Sequence, residues 1–82
     1  MNLKISEQIQ AEQNHGREKW GNDADDFSQD DANTERDWHS FIDDHNARAK
    51  VATPMDRRQH LIKLAGLAVS AIEAIDRRLL TA

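Results

Sequence analysis

The apolar positions fall into three stretches with a helical period, and none alternates at the two-residue period of a strand. From about residue 5 to residue 20, Ile5, Ile9, Glu12, Gly16 and Trp20 recur close to every 3.6 residues. Ser6 is placed to cap this helix, Glu7 falls in its first turn, and Gly21 supplies a stop. Only Ile5, Ile9 and Trp20 on that face are large and apolar, so the helix depends on packing for its stability. A second helix is predicted over 34–52. Thr34 and Asp37 form a Thr-x-x-Asp capping box, Glu35 sits at the positive end of the dipole, and Trp38, Phe41, Ile42, His45 and Ala49 mark one face. The third start is the clearest: Thr53 as N-cap, Pro54 in the first turn, Asp56 three residues after the cap, and a helix over 54–80.

That last helix holds most of the apolar residues. Leu61, Ala65, Ala68, Ile72, Ile75 and Leu79 form one stripe, Ile62, Val69 and Asp76 a second, and Leu64, Leu67 and Ala71 a third. So wide an apolar surface requires burial on several sides, a second copy of the chain among them. The small residues Ala65, Gly66, Ala68, Ser70 and Ala71 permit close helix approach. Residues 21–33 read as an acidic loop of turn-forming side chains, tied to the body by Phe27. The expected fold is all-α: a three-helix subunit over residues 1–82, with a long apolar C-terminal helix, that assembles into a helical bundle.

Size sharpens the expectation of assembly. Eighty-two residues bury about 60–65% of their unfolded surface, which leaves a marginal core. The absence of cysteine removes disulfides and thiolate metal sites as staples. No signal-peptide pattern follows Met1, and the apolar run 61–75 is broken by Lys63 and Glu73 and is shorter than the roughly 20 residues a bilayer span needs. The expectation is a cytoplasmic protein with no membrane contact. Charge is uneven. Residues 1–46 carry four Lys/Arg against twelve Asp/Glu, and residues 47–82 carry seven against three. Blocks of opposite sign favour packing of one half on the other or contact between subunits, not duplex DNA, which requires a coherent basic surface.

Glu73 and Asp76 lie one turn apart, so both carboxylates can reach one ion. Mg²⁺, which prefers oxygen ligands and keeps waters, suits such a pair working with a substrate phosphate. The alternative is that Asp76 bonds an arginine or a helix end while Glu73 is solvated. Glu12, unexpected on an inward face, either completes a carboxylate cluster with the last helix or pairs with Arg77 or Lys63. The loop aspartates Asp23, Asp25, Asp26, Asp30 and Asp31 do not form a calcium loop: counting from Asp23, position six is Ser28 rather than Gly and position twelve is Thr34 rather than Glu. His15, His39, His45 and His60 include no His-x-x-x-His pair. Trp20 and Trp38 serve either as core anchors or as stacking platforms for a base. Neither a nucleophile triad nor a glycine-rich phosphate loop is present.

Three segments together resemble small bacteriophage and prophage MazG-like proteins, relatives of the all-α nucleotide pyrophosphohydrolases. They are Ile9-x-x-Glu12 with Lys19-Trp20-Gly21, then Asp30-Asp31-x-Asn33-x-x-x-Asp37-Trp38, and Leu61-Ile62-Lys63-Leu64-Ala65 through Ala71-Ile72-Glu73-Ala74-Ile75-Asp76-Arg77. The resemblance touches most of the chain through motifs that are individually unspecific. It implies a helical subunit that pairs into a bundle and a Mg²⁺ held by carboxylates for hydrolysis of a nucleoside triphosphate to monophosphate and pyrophosphate. The family pattern is Glu-Glu-x-x-Glu followed by Glu-x-x-Asp. Glu73 and Asp76 match the second half, whereas the second helix offers only Asp43-Asp44-His45-Asn46 for the first. Under this resemblance Glu73, Asp76 and Glu12 hold the metal, and Lys19 or Arg77 meets phosphate. Two functions follow as expectations. One is a degenerate relative that binds a nucleotide with Mg²⁺. The other is a non-catalytic phage protein that binds a host factor through the acidic 23–44 region, with Asp23, Asp25, Asp26, Asp30 and Asp31 as contacts.

Overall fold

The computed structural model describes residues 3–19 and 27–81 and is all-α. In chain order the helices are α1 (Leu3–Lys19), α2 (Ser28–Ala32), α3 (Glu35–Val51) and α4 (Pro54–Thr81). α1 and α3 each pack mainly on α4, and α2 rests against the C-terminal part of α4. Among the described residues no helix is long and apolar enough to cross a membrane.

Both strong caps form where the pattern places them. Thr34 Oγ1 accepts from the Asp37 amide at 3.2 Å, and the Asp37 carboxylate accepts from the Thr34 amide at 2.9 Å, satisfying two orphan donors at the start of α3. Thr53 Oγ1 accepts from the Asp56 amide at 3.4 Å at the start of α4. Arg57 reaches back across the α3–α4 corner: its Nε donates to the Ala49 carbonyl at 2.9 Å and its Nη2 to the Ala52 carbonyl at 3.1 Å. A cation on the last carbonyls of α3 answers the negative end of that helix.

Two expectations need correction. α1 begins at Leu3, so Ser6 lies inside the helix and does not cap it. A serine cap contributes only about 1 kcal/mol, and Lys4 and Leu3 are good helix formers, so the helix runs through it. Trp20 and Gly21, the expected last residue and stop, lie outside the described residues, as do Asp23, Asp25 and Asp26. The stretch expected to be loop through residue 33 contains α2, which makes four helices rather than three among the described residues. Asp30 and Asp31 stand in its first turn, where the dipole favours them. Arg78 Nη2 donates to the Asp31 and Asn33 carbonyls at 3.4 and 3.0 Å and so closes its C-terminal end. Phe27 pins the segment as expected, through two guanidinium groups: Arg17 and Arg77 lie 4.6 and 4.4 Å from its ring centroid.

The apolar core is thin. Ile9, Trp38, Ala49 and Ala74 are its buried hydrophobic residues, accompanied by the buried polar side chains of Gln13, Arg17, Asp30, Asn33 and Ser70. The buried face of α1 runs Ile9–Gln13–Arg17, one residue around the helix from the expected Ile9–Glu12–Gly16. On α4 the buried positions are Gly66, Ser70 and Ala74, while the stripe of large aliphatic residues is left exposed. The Cα radius of gyration, 13.1 Å, exceeds the roughly 11.7 Å typical of a compact chain of this length.

Candidate functional site

Because α1 and α3 share α4 as their support, a cleft of about 520 Å³ opens between them. α3 supplies one wall. Trp38, Phe41, His45 and Arg48 line it at spacings of three and four residues, which places them on one face of the helix. Trp38 is buried and meets Phe41 edge to face, with centroids 6.3 Å apart and planes at 89°, so Phe41 stands braced with 42% of its surface exposed. α1 supplies the other wall with Glu12, Gln13, His15, Gly16 and Lys19, and α4 forms the floor with Lys63, Gly66, Leu67 and Ser70.

Gly66 sets the depth of that floor. A methyl group there would stand 3.7 Å from the Glu12 and Gln13 side chains, in ordinary contact, so anything larger would push α1 away. Gln13 ties the wall to the floor: its Nε2 donates to Ser70 Oγ at 2.8 Å and to Glu73 Oε1 at 2.7 Å. Lys63 is half-buried on the floor, and among the described residues no carboxylate lies within ion-pair distance of it. Arg48 on the rim pairs with Asp44 at 3.1 Å in an exposed i,i+4 arrangement, which holds it only weakly.

His45 faces His60 of α4, with ring centroids 5.8 Å apart and planes tilted by 36°. The Nδ1 atoms of both rings are buried without a hydrogen-bond partner. Burial pushes the His45 pKa below its ordinary value. Lys63, His60 and Arg48 push the same way, and Asp44 opposes them.

The predicted site residues separate into groups. Glu12 lines the cleft, and Lys19 stands at its rim. Glu73 is held by Gln13, and Asp76 is exposed further along α4. Among the described residues no three His, Asp or Glu side chains gather as a metal site. The contact of His45 with His60 sets Asp44 near the level of Leu61, twelve residues before Glu73, so the two acidic pairs lie about 18 Å apart along α4. Arg77, proposed for phosphate, donates from Nε to Asp31 Oδ1 at 2.8 Å. Asp30, proposed for partner contact, pairs with Arg17 at 3.1 Å, with side chains 12% and 5% exposed. Asp31, the other described member of the partner-binding set, keeps 47% of its side chain exposed beside Arg77, and Asp23, Asp25 and Asp26 lie outside the described residues. Gln13, Phe41, Lys63 and Ser70 were missed as site residues. The available signal was Gln13 and Arg17 at i+4 and i+8 from Ile9, polar groups on the buried face of α1.

No protein-family model, curated protein or solved structure matches the chain.

Proposed function

We propose that the protein is a phage-type MazG-like helical protein that binds a nucleotide in the α1–α3 cleft without hydrolysing it. The observation that carries this reading is the cleft itself. Its volume falls in the range of small-molecule sites, and it combines an exposed, braced aromatic ring with a half-buried cation that has no acidic partner among the described residues. A base stacks on Phe41, and phosphates meet Lys63, with Lys19 and Arg48 at the rim. Mg²⁺ enters with the phosphates, and Glu12 is the predicted metal ligand that the cleft presents to it. Hydrolysis by carboxylate-held metal needs acids gathered around one ion, and two-metal sites hold their ions about 4 Å apart. Within one subunit, the separation of Asp43 and Asp44 from Glu73 and Asp76 supports binding rather than turnover.

Titration calorimetry with a panel of nucleoside triphosphates, with and without Mg²⁺, tests the reading. The expected result is saturable binding at one site per chain, weakened at least about tenfold by Lys63→Met and by Phe41→Ala, a loss of roughly 1.4 kcal/mol. Binding that survives Lys63→Met but vanishes in Glu73→Ala/Asp76→Ala would move the site to the end of α4.

A further inference from the structure

His45 and His60 meet across the α3–α4 hairpin. His45 stands six residues before Val51, the last residue of α3, and His60 six residues after Pro54, the first of α4, so the hairpin brings them level. Their ring centroids lie 5.8 Å apart with planes tilted by 36°. In each ring Nδ1 is buried and, among the described residues, has no hydrogen-bond partner. Native folds hold few buried polar atoms of this kind, so two in one contact call for a reason. Packing does not supply it, because an aliphatic side chain at either position would fill space without stranding a nitrogen.

We propose that the two imidazoles together bind one divalent transition-metal ion, Zn²⁺ or Cu²⁺ in class, and that the ion staples α3 to α4. A metal–nitrogen bond of about 2.0–2.1 Å sets two imidazoles on one tetrahedral ion with ring centres roughly 5 Å apart. The observed separation is close to that, and small side-chain rotations within the same rotamer wells close the difference. Imidazole nitrogen suits Zn²⁺ and Cu²⁺, whereas Mg²⁺ prefers oxygen, so this ion is not the one that would accompany phosphates in the cleft. Burial holds the His45 pKa below 6.5, which leaves its ring neutral at pH 7 with the lone pair a metal needs. Lys63 and Arg48 act on His45 as cations and would oppose a bound ion, and Asp44 offsets them. Among the described residues no third His, Asp or Glu completes the set, so solvent takes the remaining positions, as at open zinc sites. The chain has no cysteine and few buried apolar residues, and a bound ion gives a small fold a cross-link that it otherwise lacks. This inference does not rest on what the cleft binds.

Calorimetric titration of the metal-free full chain with Zn²⁺ alone and with Cu²⁺ alone tests it. The expected result is one ion per chain, with Cu²⁺ bound more tightly than Zn²⁺ and neither displaced by excess Mg²⁺. His45→Gln and His60→Gln should each weaken Zn²⁺ binding at least about tenfold. His39→Gln, which changes an exposed histidine of α3, should bind as the wild-type chain does. Saturating Zn²⁺ should raise the thermal midpoint of the wild type and leave those of the His45 and His60 variants unchanged. In the wild-type chain the imidazole resonances of His45 and His60 should shift together as Zn²⁺ is added, a readout that requires no substituted chain to fold. No binding of either ion at millimolar concentration, undiminished binding in either variant, or shifts confined to His15 and His39 would overturn the proposal.

Discussion

The buried side of α4 carries Gly66, Ser70 and Ala74, whereas its open side carries Leu61, Ile72, Ile75 and Leu79. In most monomeric domains the large aliphatic residues would take the inner positions, since burying one contributes about 1.5–3 kcal/mol. Here the inner side is narrow and polar. It admits α1 closely at Gly66, holds Gln13 through Ser70 and Glu73, and leaves room for a cleft. The contrast teaches that α4 meets α1 through small and polar side chains and leaves its largest apolar ones outside the subunit's own core.

The largest expected effect lies on the polar, buried side. Replacing Arg17 by Met removes one partner of a buried ion pair and leaves Asp30 uncompensated, at a cost of about 3 kcal/mol measured by urea unfolding. That is a large share of the stability of a chain this size. A variant within about 0.5 kcal/mol of wild type would show that the polar interior carries little stability. Next in size is Gln13→Ala, which strands Ser70 and Glu73 and should cost roughly 1–2 kcal/mol by the same measurement. Ile72→Ala on the open side should change the unfolding free energy of the isolated subunit by less than about 0.5 kcal/mol. A loss as large as that from Gln13→Ala would erase the distinction between the two sides.

Gly66→Ala is expected to act in the opposite direction and stabilise the chain. The added methyl meets its neighbours at ordinary contact distance, and alanine is the better helix former. The variant should therefore gain about 0.5–1 kcal/mol, read as a raised thermal midpoint. A lowered midpoint would mean that α1 sits closer to α4 than the Gly66 geometry allows.

The smallest effect concerns pH. His45 has its pKa lowered, chiefly by burial, so the unfolded chain binds a proton there more readily than the folded one. Stability is then full above the ordinary value of 6.5. It declines as pH falls through 6.5 toward the lower folded pKa, and stays constant below that. The groups facing His45 are Lys63 and His60 from α4, with Asp44 and Arg48 on its own helix. Unfolding midpoints should fall between pH 7 and the folded pKa, and His45→Gln should flatten that slope; an unchanged slope would place the titration elsewhere.

What could be read along the chain was local. The Thr34–Asp37 box and the Thr53–Pro54 start involve residues within a few positions of each other, and both helices begin where those signals stand. α2 was not legible because its support is distant in sequence: Arg77 and Arg78 reach it from the far end of α4, and Arg17 from α1. Trp38, Phe41 and His45 were recognisable as one face of α3. The rotation of α4 that sets Lys63, Gly66 and Ser70 beneath them was not, because α4 carries three apolar stripes and any could have faced inward. Glu73 and Asp76 stood out as a pair by spacing alone, whereas the partner Glu73 takes in the structure is Gln13, sixty residues earlier in the chain.

The proposed nucleotide site on the inner side of α4 is tested most directly by comparing two single variants in the same nucleotide titration. Ile72→Glu, whose change lies on the open side, is expected to retain wild-type nucleotide affinity within about twofold. Lys63→Met should lose at least tenfold in affinity, about 1.4 kcal/mol. If Ile72→Glu abolishes nucleotide binding or Lys63→Met leaves it intact, the two sides of the helix are not separate in function and the account fails.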